Sequence, residues 1–396
     1  MSMLFEGMDP NEKFRSRRHN RLRARRRRRA ALVGLLLVAL AGIGLGARSI
    51  SGSGSAAAPK ATKPVVAKLA AATPKPRAAP DEIRGVHVTV ALASIPGKLQ
   101  EYIDLRTEGL NTIELDVKDE NGELGFIPSS VPLAKKVGAA RPYYKPREVA
   151  TLMHASGIYL IGRVVTFEDP HLSVGMPSMA IHNPDGSVWK NQAGLGWTNP
   201  YDRRVWDYNV SIAEAAARAG FDEIQFDYVR FPSDGDTDNI VYPGKTKTAP
   251  GWVIAQFIQY ASKRLKPLGV RVSADVFGLA ATRDLGIGQF PARISRYLDA
   301  ISPMTYPSHF GAGEYDIPDP NADPGTTVLR ALTKFHRQLE GTTSELVPWI
   351  QDFSLGRDYT LADVQAQIEA ARLVGVRGYL LWNPLGVYTP GALAPA

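Results

Sequence analysis

The chain has 396 residues, 44% of them hydrophobic, which is enough for one large folded domain with appendages. Its formal net charge of +8 is unevenly placed: residues 1–48 carry +9 and residues 49–80 carry +5, leaving −6 for residues 81–396, so the body of the chain gives no electrostatic case for binding nucleic acid. There is no cysteine, which excludes disulfides, thiolate metal sites and cysteine nucleophiles.

Ten arginines lie between Arg15 and Arg29, and the last five are consecutive. Eighteen uncharged residues come next, Ala30 to Ala47. That is near the lower limit of the roughly 17–25 residues that span a bilayer. It exceeds the apolar core of a cleaved signal, about 7–15 residues. Basic flanks stay in the cytoplasm. The sequence therefore predicts a basic cytoplasmic tail (1–29) and a single transmembrane signal-anchor helix (30–47). The C-terminal domain would stand outside the cytoplasm, with membrane contact through that helix. Small residues at Gly44, Gly46 and Ala47 leave secretion after signal cleavage as the alternative. A nucleic-acid arm is the rival reading of the arginine run. The apolar span directly behind it favours the membrane, and no nucleic-acid partner is expected. Residues 48–80 are rich in Ala, Pro, Ser and Lys. They read as a disordered linker, since they hold too little apolar surface to offset chain entropy.

From Ile83 a unit recurs: a helical stretch ends in Gly and a hydrophobic strand comes after it. Gly109, Gly157, Gly220, Gly269 and Gly375 mark the clearest cases. Gly suits the left-handed residue that ends a helix. Eight strands are predicted: Gly85–Val90, Thr112–Val117, Tyr159–Val165, Glu223–Tyr228, Arg271–Phe277, Ala300–Thr305, Leu346–Gln351 and Gly378–Trp382. Strands alternating with helices imply parallel βα units. Over residues 81–390 they suit an α/β (β/α)8 TIM barrel. The last repeat is degenerate, because the residues after Trp382 are too few and too proline-rich for a full eighth helix. An open doubly wound sheet would carry a Gly-rich phosphate loop after its first strand. This chain has none there.

Long loops after strands three, four and six (Thr166–Asn199, Arg230–Gly251, Tyr306–Pro324) would all open on one face. The strand ends there carry polar and aromatic groups: His87, Glu114, Asp116, Lys118, Arg163, Glu168, Asp227, Tyr228, Arg230, Asp275, Tyr306, His309, Trp349, Gln351, Asp352, Trp382 and Asn383. Carboxylates ringed by Trp and Tyr suit a sugar, whose apolar face stacks on aromatic rings. Glycoside hydrolysis usually needs two carboxyl groups. Asp227 and the adjacent-strand Asp275 are the leading catalytic pair, with Glu168, Asp116 and Asp352 in reserve. His87, Asp116, Lys118, Arg163, Tyr228, Arg230, Tyr306, His309, Gln351, Asp352, Trp382 and Asn383 are expected around substrate. No cofactor and no metal site is expected. The acidic run Asp234–Asn239 has calcium-like alternation, but Lys245 stands where such a loop closes with an acid.

Several stretches resemble a bacterial family of uncharacterised glycoside hydrolase domains grouped with TIM-barrel glycosidases such as the α-amylase-like enzymes. They are Arg84–Thr89, Asn111–Asp119, Tyr159–Val165, Phe221–Gly235, Val272–Phe277, Ile301–Pro307 and Gly378–Pro384, and Phe221–Gly235 is the most specific. The resemblance implies a barrel, a carbohydrate substrate and a strand-four nucleophile at Asp227. The strand-five acid of the wider group is usually Glu, whereas this chain has Asp275. The expected function is hydrolysis of glycosidic bonds in a cell-surface or extracellular polysaccharide or oligosaccharide. The alternatives are a non-catalytic carbohydrate-binding or cell-envelope protein on the same scaffold, and a barrel lyase or isomerase using Lys118 through a Schiff base.

Overall fold

A computed structural model describes residues 75–395. The arginine-rich tail, the apolar run 30–47 and most of the linker lie outside the described residues. Among the described residues no helix is long and apolar enough to cross a membrane. The end of the predicted linker is tied to the body: the backbone N–H of Arg77 donates to Asp222 Oδ1 at 2.6 Å, and Arg77 Nη1 donates to Ile158 O at 3.3 Å.

Nine parallel strands form the sheet: β1 (Arg84–Val88), β2 (Thr112–Lys118), β3 (Tyr159–Val165), β4 (Glu223–Asp227), β5 (Arg271–Phe277), β6 (Ala300–Met304), β7 (Glu345–Leu346), β8 (Trp349–Gln351) and β9 (Tyr379–Trp382). Neighbours pair in chain order from β1 to β6. β6 pairs both β7 and β8, β8 pairs β9, and β9 returns to β1, closing a barrel of eight staves. The seventh stave, expected as one strand, is two pieces. Pro348 lies between them and has no N–H for the ladder. Its carbonyl accepts instead from Leu380 N at 2.9 Å.

Local chemistry explains the helix boundaries. Asp202 caps the helix Arg203–Ala219 by accepting from Arg204 N, and Gly220 ends it at φ 108°. All five predicted helix-ending glycines have positive φ. The first strand stops two residues short of expectation, because the Thr89 side chain accepts from Leu92 N and starts a short helix, Val90–Ala93. Among the described residues no helix comes after β9. The C-terminal stretch is pinned by side chains: Tyr388 OH donates to His87 O at 2.6 Å, Thr389 Oγ1 to Asp352 Oδ1 at 2.5 Å, and Tyr379 OH to Ala392 O at 2.9 Å.

Alternation sorts the strands into two faces. Ile224 and Phe226 of β4 point outward into the helix layer and are fully buried. There Phe257, on the helix Pro250–Leu265, meets the rings of Phe167, Phe226 and Trp206 at 5.2, 5.3 and 5.7 Å. Phe257→Ala is expected to cost about 3–5 kcal/mol of stability, read from urea denaturation. The inward face of β4 is wholly polar: Glu223, Gln225, Asp227. Barrel interiors are usually filled by branched apolar residues. At the N-terminal end this polarity is satisfied internally. Glu223 accepts from Tyr159 OH at 2.9 Å and Ser273 Oγ at 2.5 Å, with Arg271 Nε at 3.3 Å. A cleft of about 780 Å³ opens at that end, lined by Arg271, Glu345 and Arg377 among others. In this fold chemistry belongs to the opposite, C-terminal end, where the inward polar groups are of another kind.

Candidate active site

β4 ends on Asp227, and the chain then turns sharply. Tyr228 sits in the left-handed region at φ 50°, a conformation costing a non-glycine residue about 1–3 kcal/mol and one that gathers at functional sites. The turn swings Tyr228 N onto Asp227 Oδ1 at 2.6 Å. Arg163, inward from β3, takes the other oxygen: Nη2 and Nε donate to Asp227 Oδ2 at 2.6 and 3.0 Å. Its remaining arm, Nη1, donates to Asp116 Oδ1 at 2.6 Å. One guanidinium thus fixes two carboxylates from β2 and β4.

Asp275, inward from β5, is held differently. Its Oδ1 accepts from Trp349 Nε1 at 2.6 Å and from Gln225 Nε2 at 2.5 Å. Gln289 steadies the backbone, donating to Asp275 O at 3.1 Å. Burial, then the negative charges of Asp227 and Glu114, push the Asp275 carboxyl well above the usual carboxylate range. Asp227 remains 5% exposed and Asp275 1%. Tyr306, after β6, faces the same charges. Burial and then Asp275, Asp227 and Glu114 raise its phenol well above its ordinary value.

On β1, His87 Nδ1 hydrogen-bonds Glu114 Oε2, and its Nε2 lies 3.7 Å from Asp116 Oδ2. Burial pushes the imidazole down, but the charges of Asp116 and Glu114 outweigh it and raise His87 above its ordinary value. The ring stacks on Trp382 at 4.6 Å, and Trp382 meets Trp349 edge-on at 5.8 Å. His87, Asp116, Arg163, Asp227, Asp275, Tyr306 and Trp382 therefore form one cluster at the C-terminal end of the barrel.

Other expected site residues stand elsewhere. Lys118 is turned away from the mouth. Asp116 pairs with Arg163 but Lys118 with Val164, so Val117 is an extra residue in β2 and the bulge puts Lys118 on the opposite face. Lys118 Nζ donates to Asp169 Oδ2 at 2.8 Å, Asn209 Oδ1 at 2.7 Å and Thr166 O at 3.3 Å, sealed against the helix Arg203–Ala219. Burial lowers its pKa, as a Schiff-base lysine requires, yet it faces the helix layer. Arg230 lies among rings, with its guanidinium carbon 4.9, 4.9 and 4.7 Å from the centroids of Trp197, Tyr228 and Phe277. There it secures the turn after β4. Gln351 uses both ends on backbone, accepting from Ser308 N and donating to Phe353 O. Asp352 accepts from Thr389 N and Oγ1, and Asn383 donates to Asp352 O. These three hold loops. Glu168 is buried in the loop after β3, accepting from Asn191 Nδ2 at 3.0 Å. His309 is the exception: its ring lies against Tyr306, 5.4 Å between centroids and tilted by 60°, at the edge of the cluster. Glu114, Gln225 and Trp349 join the cluster without having been assigned a role from sequence. The signal was available for the first two, which lie two residues before Asp116 and Asp227 and so share their faces. Among the described residues no group of three or more His, Asp or Glu is arranged to hold a metal ion.

Residues 85–388 match the family described as "Putative glycosyl hydrolase domain". The chain belongs to that family. A hypothetical protein from Ruminiclostridium thermocellum is similar at 34% identity, over 48% of this chain and 97% of that one, with a TM-score of 0.44. The glycoside hydrolase domain of PgaB (BpsB) from Bordetella bronchiseptica is similar at 13% identity, over 76% of this chain and 94% of that one, with a TM-score of 0.57. At that identity the likeness is one of fold, a TIM-like barrel. No curated protein sequence matches the chain.

Proposed function

We propose that this family member is a glycoside hydrolase cleaving a cell-surface or extracellular polysaccharide, with Asp227 as nucleophile or base and Asp275 as proton donor. The observation that carries this reading is the unlike treatment of two neighbouring carboxyls. Asp227 has its negative charge matched by Arg163. Asp275 is buried beside that charge and is driven toward its protonated form. A carboxyl driven toward its protonated form beside one paired with a guanidinium suits a division into acid and base roles. Two donors converge on Asp275 Oδ1, which leaves Oδ2 as the oxygen to carry the proton. Tyr306, close enough to feel both charges, is assigned to steady the pair, and Trp382, half-buried beside His87, to stack on a pyranose.

Release of reducing ends from at least one polysaccharide in a panel of surface and secreted glycans is the expected result. Tight binding with no release from any would favour the non-catalytic carbohydrate-binding reading. The sequence of residues 15–47 supports a site of action outside the cytoplasm, on a membrane anchor. Protease added to intact cells is expected to digest the barrel; protection until lysis would overturn that placement.

A further inference from the structure

The cluster gathers more buried carboxyl groups than basic groups. Glu114, Asp116, Asp227 and Asp275 converge there, none more than 5% exposed, against Arg163 and His87. Arg163 is committed to Asp227 and Asp116, and His87 to Glu114. Burial raises the pKa of Glu114 and Asp116 as well as that of Asp275, so a positive group brought against Glu114 and Asp116 would meet carboxyl oxygens that lack a close counter-charge of their own. A second observation points the same way. Three buried acceptor oxygens have no hydrogen-bond donor: Glu114 Oε1, Asp116 Oδ2 and Gln225 Oε1. Glu114 Oε1 lies 3.9 Å from Arg163 Nε and Asp116 Oδ2 lies 3.7 Å from His87 Nε2, both too far for a hydrogen bond. Buried acceptors without donors are costly, and more so when charged.

A neutral hydroxyl would satisfy one such oxygen and leave the others without a donor. An N-acetyl group brings a single N–H and no charge. An ammonium brings three donors, one for each oxygen, and a positive charge that favours the carboxylate forms of Glu114 and Asp116. We propose that the site recognises an amino sugar carrying a free, protonated amine, received by Glu114, Asp116 and Gln225. This rests on the glycoside hydrolase reading and names its substrate class.

The test uses the full-length chain and β-1,4-linked tetramers of glucosamine, N-acetylglucosamine and glucose, with binding read by calorimetry and cleavage by chromatography. The glucosamine tetramer is expected to bind at least about tenfold more tightly than the glucose tetramer. Glu114→Gln is expected to shrink that ratio to below about twofold, and the ratio cancels any general loss of folded protein. If Glu114→Gln does not fold, Asp116→Asn reads the same ratio. Equal affinity for the three tetramers overturns the amino-sugar inference, while cleavage of any of them leaves the hydrolase reading standing. Binding of none overturns the inference, and the polysaccharide panel then decides the hydrolase reading separately.

Discussion

Asp227→Asn is expected to lower polysaccharide hydrolysis by at least about 10³-fold. Asn keeps the shape of Asp and can still accept from Tyr228 N, which reaches Asp227 Oδ1 at 2.6 Å. What it loses is the negative charge that Arg163 meets with two donors. The attacking or base function goes with that charge. Arg163 then keeps Asp116 at 2.6 Å, with Glu120 and Glu114 at 3.6 and 3.9 Å, so part of the buried ion network is broken. A full break of such a pair costs about 3–5 kcal/mol; the retained amide oxygen should hold the loss below that. Activity must therefore be measured on protein whose circular dichroism and urea midpoint show that it is folded. Asp227→Gly separates the two roles. Added azide is expected to restore turnover and yield a glycosyl azide if Asp227 is a nucleophile, because the small anion can enter the space of the missing carboxylate. Hydrolysis unchanged in Asp227→Asn would remove the residue from the mechanism.

The barrel was readable because each repeat is punctuated locally. A Gly-ended helix and a strand with period two are properties of a few neighbouring residues. Glu223-Ile-Gln-Phe-Asp227 illustrates both the strength and the limit of such reading. Its alternation gives a strand with a polar and an apolar face. Only closure of the sheet decides that the polar face is the interior one. Once that is known, a step of two leads from Asp116 to Glu114 and from Asp227 to Gln225. Lys118 shows what alternation cannot give. A single extra residue at Val117 moves Lys118 to the other face, and nothing in the composition of Asp116-Val-Lys118 announces a bulge. Pro348 is a milder case: proline signalled the break in the seventh stave, yet the flanking apolar residues read as one strand. At Gln351, Asp352 and Asn383 the limit is of another kind. Their side chains serve loop backbone, Phe353 O, Thr389 N and Asp352 O respectively. A polar residue at a strand end has the same appearance in sequence whether it meets a ligand or a loop. The Tyr228 turn, which brings its N–H onto Asp227, is likewise invisible, since Tyr is a residue type that rarely adopts positive φ.

Asp275→Asn is expected to trade activity for stability, and the exchange depends on pH. Burial first, and then the charges of Asp227 and Glu114, hold this carboxyl well above its ordinary value, with the Trp349 hydrogen bond opposing them. The folded chain therefore binds that proton more tightly than the unfolded chain does. The resulting contribution to stability is complete below the unfolded value of about 3.9 and is lost as pH rises through the raised folded value. His87 has the same sign: its folded pKa is raised, so its contribution is present below about 6.5 and is lost as pH rises through the higher folded value. An asparagine at position 275 still offers one oxygen to Trp349 Nε1 and Gln225 Nε2 and has no proton to lose. Its urea midpoint should gain on wild type as pH rises from about 3.9 through the raised folded value. Hydrolysis of unactivated polysaccharide should fall about 10²–10⁴-fold. Aryl glycosides, whose leaving groups need little protonation, should suffer far less. That contrast between leaving groups marks a proton donor, whereas damage to the fold would lower both rates alike. A stability gap that stays flat across the pH range would mean that Asp275 does not hold its proton, and the donor would have to be sought at Glu168 or Glu114.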